Sequence, residues 1–310
     1  MVSGELTEGR TFMSQLSRGE TILILTNTTG SIWGTTWSPD SLRIATTDQD
    51  AHACIWDAQT GHLLLTLTGH AAGVENAAWS PDNRFIATAS QDTTARIWDT
   101  TTGRSLLTLT HTHPLHGIAW SPKSHQIVTA CWDTTARIWD ALTGQLVHPL
   151  AGHTQPVNGV AWSPDNRQIA TTSDDQTTHI WDALTGQSSR ILTGHINVVY
   201  SVAWSPNSQQ IATTSADHTS RIWDTATGQM LHTFRGHTSL VESAAWSPDG
   251  MYLVTASKDR TARIWEAQTG KLCFMLTGHT EGINSVAWSS NGTHIATASH
   301  DQTVRIWKLS

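Results

Sequence analysis

The stretch GHAAGVENAAWSPDNRFIATASQDTTARIWD, Gly69 to Asp99, returns six more times, with changes, along a chain of 310 residues. Its first tryptophan falls at Trp37, Trp79, Trp120, Trp162, Trp204, Trp246 and Trp288, and its second at Trp56, Trp98, Trp139, Trp181, Trp223, Trp265 and Trp307. The period is 42 residues, with one step of 41. A fixed period of this length marks a repeat architecture, in which each unit buries its apolar face only against its neighbours.

Within the unit, four short runs have strand character: Val74 to Trp79, Phe85 to Ser90, Thr94 to Trp98 and Ser105 to Thr110. Turn chemistry separates them. Pro81 sets φ in Ser-Pro-Asp-Asn, Gln91-Asp92-Thr93 makes a tight polar link, and Gly103 supplies a residue suited to positive φ. The first run is rich in alanine, as an inner strand crowded near an axis would be.

The two ends of the chain decide between an open stack and a ring. The last unit stops after its third strand, at Thr303 to Ser310, whereas Glu20 to Thr26 is a fourth strand with no unit of its own. An open stack would leave bare sheet edges, which proteins avoid. Pairing the orphan strand beside Thr303 to Trp307 closes a circle instead, and Arg18 to Ser310 fits six periods of 42 and one of 41. Residues 1–17 are polar, without apolar period, and read as a tail; residues 18–310 read as one domain.

Gly-His, Trp-Ser-Pro-Asp, Ser-x-Asp and Arg-Ile-Trp-Asp, recurring in register from about residue 18 to 310, resemble the WD-repeat β-propeller family, including its bacterial members. The resemblance implies an all-β fold: a seven-bladed β-propeller of four-stranded antiparallel blades, closed by an N-terminal strand that completes the last blade. It also implies binding of proteins or peptides rather than catalysis.

Composition is consistent with that reading. A net charge of −7 with 18 Lys+Arg offers no broad basic surface, so no nucleic-acid partner is expected. Cys54, Cys131 and Cys273 are odd in number and scattered among units, which argues for free thiols in a reducing compartment. The N-terminus lacks the basic start and apolar run of a secretory signal, and no stretch approaches the ~20 apolar residues of a membrane span. The expectation is a cytoplasmic monomer that meets no membrane.

Five of the seven units also carry what looks like a hydrolase triad. The sets are His70, Ser90, Asp92 with Trp98; His153, Ser173, Asp175 with Trp181; His195, Ser215, Asp217 with Trp223; His237, Ser257, Asp259 with Trp265; and His279, Ser299, Asp301 with Trp307. An enzyme needs one such site, whereas a repeated buried network satisfies its polar atoms in every blade. The sets therefore read as structural tetrads, a role the resemblance also implies, and no catalytic residue is assigned.

Two units depart from the pattern. The third keeps His111 and Asp133 but has Thr110 before the histidine, Cys131 for serine and one residue fewer, so a looser tetrad is expected from the weaker thiol donor. The first has Asn27-Thr28 for Gly-His and places Asp48 two residues from Asp50, two carboxylates expected to repel or share a proton. That blade is expected to open early.

His111, His113 and His116 have a spacing open to a metal, but no acid or cysteine completes a set, so neither metal nor cofactor is expected. The arginines two before the second Trp (Arg96, Arg137, Arg221, Arg263, Arg305, with Cys54 and His179 in the other units) read as structural, stacked on Trp and paired with an acid such as Asp99.

Aligning the chain with itself locates what varies. Four residues before the first Trp stand Trp33, Glu75, His116, Asn158, Tyr200, Glu242 and Asn284; just before the tetrad Asp stand Gln49, Gln91, Trp132, Asp174, Ala216, Lys258 and His300. Both sets fall at one end of the blades, around the mouth of the central channel, while the other end is uniform. Varied side chains on a rigid frame suit recognition. Trp33, Trp132 and Tyr200 are the candidate anchors, and Glu75, Asp174 and Glu242 against Lys258 make the rim acidic, fit for a basic or aromatic peptide. The reading is a non-catalytic scaffold that binds protein or peptide through this face. Its alternatives are a recognition module of a larger signalling protein, an amplified or designed repeat without an evolved ligand, and an enzyme or metal-binding protein.

Overall fold

The structure is a computed structural model that describes residues 19–26 and 30–309. The expectations for residues 1–17 and for Asn27-Thr28 lie outside the described residues. The described residues form seven four-stranded antiparallel sheets, each a blade, arranged as a closed seven-bladed β-propeller. In the second blade the strands run Val74–Trp79, Phe85–Ser90, Thr94–Asp99 and Ser105–Thr110, from the axis outward.

The core lies between the blades. Strand residues alternate between two faces, and each blade's two faces meet its two neighbours. Ala87, Ile97 and Leu109 of the second blade thus pack with Leu115, Ile118 and Trp120 of the third. Toward the axis space shrinks, and small residues allow the inner strands to approach. A Cβ on Gly159 would come within 2.8 Å of the Tyr200 carbonyl oxygen. Turns at both ends use left-handed residues: Gly103 has φ +70°, Thr93 +70° and Asn83 +62°.

Closure follows the sequence. Glu20–Leu25 pairs antiparallel with Val304–Lys308, Glu20 opposite Lys308 and Leu25 opposite Val304, and completes the last blade. Leu25 is 2% exposed and packs with Ile306 of the last blade and with Ile32 and Trp37 of the first, whereas Ile24 is 45% exposed. Leu25→Ala is therefore expected to lower the free energy of unfolding by about 2 to 5 kcal/mol, and Ile24→Ala by less than about 1 kcal/mol. Denaturant titration of the two variants measures this; equal small losses would show that the strand does not secure the ring.

Candidate functional site

The triad-like residues come together, but around a different hydroxyl. His70 donates from Nδ1 to Asp92 Oδ2 at 2.8 Å, Thr88 donates from Oγ1 to His70 Nε2 at 2.7 Å, and Trp98 donates from Nε1 to Thr88 Oγ1 at 2.8 Å. A carboxylate only accepts, so the proton of the neutral imidazole sits on Nδ1 and the hydroxyl must donate to Nε2. The same chain runs through Thr171, Thr213, Thr255 and Thr297.

The serines expected in this position lie elsewhere. Ser90, Ser173, Ser215, Ser257 and Ser299 donate to carbonyls of the loop before the inner strand and accept the N–H of the aspartate two residues on. Strand geometry is the reason. Trp98 pairs with Ile86, so Thr88 is two residues along, about 7 Å, and Ser90 four, about 13 Å, beyond an indole's reach. The hydroxyl on the histidine is also sealed: Thr88, Thr171, Thr213, Thr255 and Thr297 are 0% exposed. No substrate reaches these hydroxyls.

Burial alone would raise the Asp92 carboxyl, but hydrogen bonds from Thr94, the Ala71 N–H and His70 hold it down at about 2. Burial lowers His70, and the carboxylate opposes that.

The third blade breaks at another link than expected. His111 keeps Thr129 at 2.9 Å, and Trp139 keeps Thr129 at 3.0 Å. However, Arg137 takes Asp133 at 2.6 Å, and His111 Nδ1 has no hydrogen-bond partner among the described residues. The missing residue is the glycine against which Arg96, Arg221, Arg263 and Arg305 pack in their blades. Cys131 merely replaces serine, donating to the His113 carbonyl.

In the first blade Asp48 is buried and takes the N–H groups of Asp50 and His52, with His52 Nδ1 at 3.6 Å. Its carboxyl is raised by burial, which outweighs those contacts. A histidine thus does face the carboxylate, four residues on instead of in the preceding loop.

Three of the five arginines pair with the tetrad acid rather than with an acid in the place of Asp99: besides Arg137, Arg221 lies 3.6 Å from Asp217 and Arg263 3.9 Å from Asp259. They stand at the turn end of their strand, four residues from that acid. Asp99 stands at the other end and caps the N–H groups of Thr101 and Thr102. Stacking on Trp occurs for Arg96 and Arg221.

The first variable set converges and two members of the second join it, whereas Trp132 and Asp174 stand outside the cavity lining. Trp33, Glu75, His116, Asn158, Tyr200, Glu242 and Asn284, with Lys258 and His300, line one cavity of about 320 Å³ to which the inner strands of all seven blades contribute. In every blade the residue from the inner strand is the extra residue of a β-bulge: pairing passes from Val74–Ser90 to Asn76–Ala89, skipping Glu75, and likewise at the six others. A bulge residue is freed from the ladder and re-aimed. The two variable sets also meet within blades. Gln91 donates to Glu75 at 2.7 Å, Asn158 to Asp174 at 2.7 Å, Trp132 stacks on His116 at 6.1 Å, and Lys258 lies 3.6 Å from Glu242.

Contacts then run around the rim. His116 is 3.6 Å from Glu75, Lys258 donates to Asn284 and His300, and His300 meets Ser31. Gly73 and Gly282 leave room for the Trp33 ring and the Lys258 stem of the preceding blade; a Cβ would come within 2.4 Å and 2.8 Å of them. Burial raises the Glu242 carboxyl against the pull of Lys258, and burial with Glu242 and Asp174 raises the Tyr200 phenol.

The family described as WD domain, G-beta repeat, matches at residues 19–57, 61–99, 103–140, 144–182, 186–224, 228–266 and 270–308. The chain belongs to the WD-repeat family. Comparison with curated proteins yields no match. WD-repeat propellers are typically protein-interaction scaffolds, and their repeats are generally non-catalytic.

Two features of this WD-repeat site escaped the sequence reading. The central threonine was the more constant signal, since Thr46, Thr88, Thr129, Thr171, Thr213, Thr255 and Thr297 hold in every unit while the serine does not. His111, His113 and His116 have three separate sets of partners (Thr129; Thr112; Trp132 and Glu75), while His153, Asp175 and His179 do cluster.

Burial, aided by Arg137, pushes His111 down to about 4 from its ordinary 6.5. The unfolded chain therefore binds this proton first. The contribution is intact above pH 6.5 and is lost as pH falls toward 4, to about 3 kcal/mol at most. His111→Gln is expected to flatten the fall of stability across that window, read from denaturation midpoints at stepped pH. An unchanged slope would contradict the assignment.

Proposed function

We propose that the chain is a non-catalytic interaction platform whose partner is a protein or peptide segment, and that the channel mouth takes a basic side chain flanked by an aromatic one. The observation that carries this reading is the convergence of seven bulge residues, each outside the ladder, on one polar cavity. Positions without a structural duty hold Glu75 and Glu242, with Asp174 behind Asn158 and Lys258 as the cation among them. Burial strengthens the pull of those carboxylates on a cation. Trp132, 41% exposed, and Trp33 offer flat surfaces to an aromatic or guanidinium group.

Selection from a random displayed-peptide library tests the reading. Recovered peptides are expected to carry Lys or Arg beside an aromatic residue, and to bind more weakly as salt rises. Glu75→Gln with Glu242→Gln should weaken them by about tenfold or more, some 1.4 kcal/mol. Leu142→Ser, at an exposed turn of the opposite end, should leave them unchanged. Equal binding by the double variant, or loss of binding with Leu142→Ser, would overturn the assignment.

A further inference from the structure

His179 stands in the fourth blade where five sibling blades carry an arginine. In three of those blades the guanidinium approaches the tetrad carboxylate, at 3.6 Å for Arg221 and Asp217. In the fourth blade an imidazole occupies that position, its ring centroid 4.0 Å from that of His153. His179 is 4% exposed, and its Nδ1 is buried without a hydrogen-bond partner among the described residues. One ligand atom each from His153, Asp175 and His179 lie within 4.8 Å of one another, the sole such group of three among the described residues.

The surroundings hold these donors in place: His153 Nδ1 and Asp175 Oδ2 bond each other at 2.8 Å, and His179 Nδ1 is the one left without a partner among the described residues. Asp175 is fixed by the N–H of Thr154 at 3.1 Å and by the N–H and hydroxyl of Thr177 at 2.9 and 2.6 Å. His153 is fixed through Nε2 by Thr171 at 2.8 Å, the kind of outer contact that orients a metal-bound imidazole. Gly152 leaves the space beside His179 open, since a Cβ there would lie 3.3 Å from Nδ1.

We propose that the fourth blade holds a divalent first-row transition metal, zinc above all, bound by His153, Asp175 and His179 with water as fourth ligand. Two imidazoles and a carboxylate are a zinc donor set. Ligand bonds of about 2.0 to 2.2 Å in a tetrahedron separate donors by roughly 3.4 Å, so the 2.8 Å contact between His153 and Asp175 opens by about half an ångström. The protons balance. The metal replaces hydrogen on His153 Nδ1, the neutral ring carries its hydrogen on Nε2, and Thr171 Oγ1 accepts it. The threonine hydroxyl then turns to the carbonyl of His179, as Thr129 and Thr255 already reach the carbonyls of Arg137 and Arg263.

The test titrates the chelator-stripped full chain with Zn²⁺ by calorimetry and with Co²⁺ by visible absorption. The parent and His113→Gln, which removes an exposed histidine outside the cluster, are expected to bind one equivalent at the site, with a tetrahedral Co²⁺ band and a raised thermal midpoint. His179→Arg restores the sibling residue and should fold, yet lose that equivalent and band, with affinity down by more than about a hundredfold, beyond an outer-shell change. His179→Asn should lose them too. Absence of the equivalent in the parent, or its survival in either His179 variant, would overturn the proposal.

Discussion

A threonine hydroxyl in the middle of each second strand accepts from the indole of the third strand and, in six blades, also bonds the histidine of the loop that leads into the blade. It is one of the few groups able to do both, having one proton and two lone pairs. Buried indole and imidazole nitrogens would each cost free energy if left unpaired. One hydroxyl removes both costs and fixes the blade's inner and outer halves. The aspartate extends the tie to the turn, where it also holds the following threonine.

With the blade secured this way, other positions are released. The inner strand begins with one residue too many for its partner, and that residue takes no part in the ladder. The ring repeats the device in every blade and directs seven side chains that lie outside the ladder toward one axis. Closure by Glu20–Leu25 fixes the circle, so the rim keeps one geometry whatever its residues are. Where the tie fails, as at His111 beside Arg137, the blade retains its strands, because inter-blade packing of Leu115, Ile127 and Trp139 persists.

Much of this was legible in the chain. The period, the orphan strand and the turn residues led to the ring, and comparing units with one another led to the mouth. The misassigned serine has a plain cause. Ser90 sits two residues from Asp92 and looks like its partner on paper, whereas the indole of Trp98 reaches only to Thr88. The arginine partners were misread because Asp99 is near in sequence but at the far end of the strand. The grouping of His153 with His179 spans a loop and two strands, and the sequence shows only a histidine interrupting a series of arginines. The six-residue histidine run at His111 to His116 drew attention by proximity alone, and its members have separate partners.

The most direct measurement of the account compares Thr88→Val with Ser90→Ala in the second blade by equilibrium unfolding. Valine keeps the shape of threonine but leaves the Trp98 N–H and His70 Nε2 unpaired in a sealed site, so a loss of about 3 kcal/mol is predicted. Ser90→Ala, though Ser90 is equally buried, removes bonds to the carbonyls of Ala72 and Gly73 and from the Asp92 N–H and leaves no ring nitrogen unpaired, so it should cost clearly less. An equal or larger loss for Ser90→Ala would place the centre of the network at the serine and contradict the account.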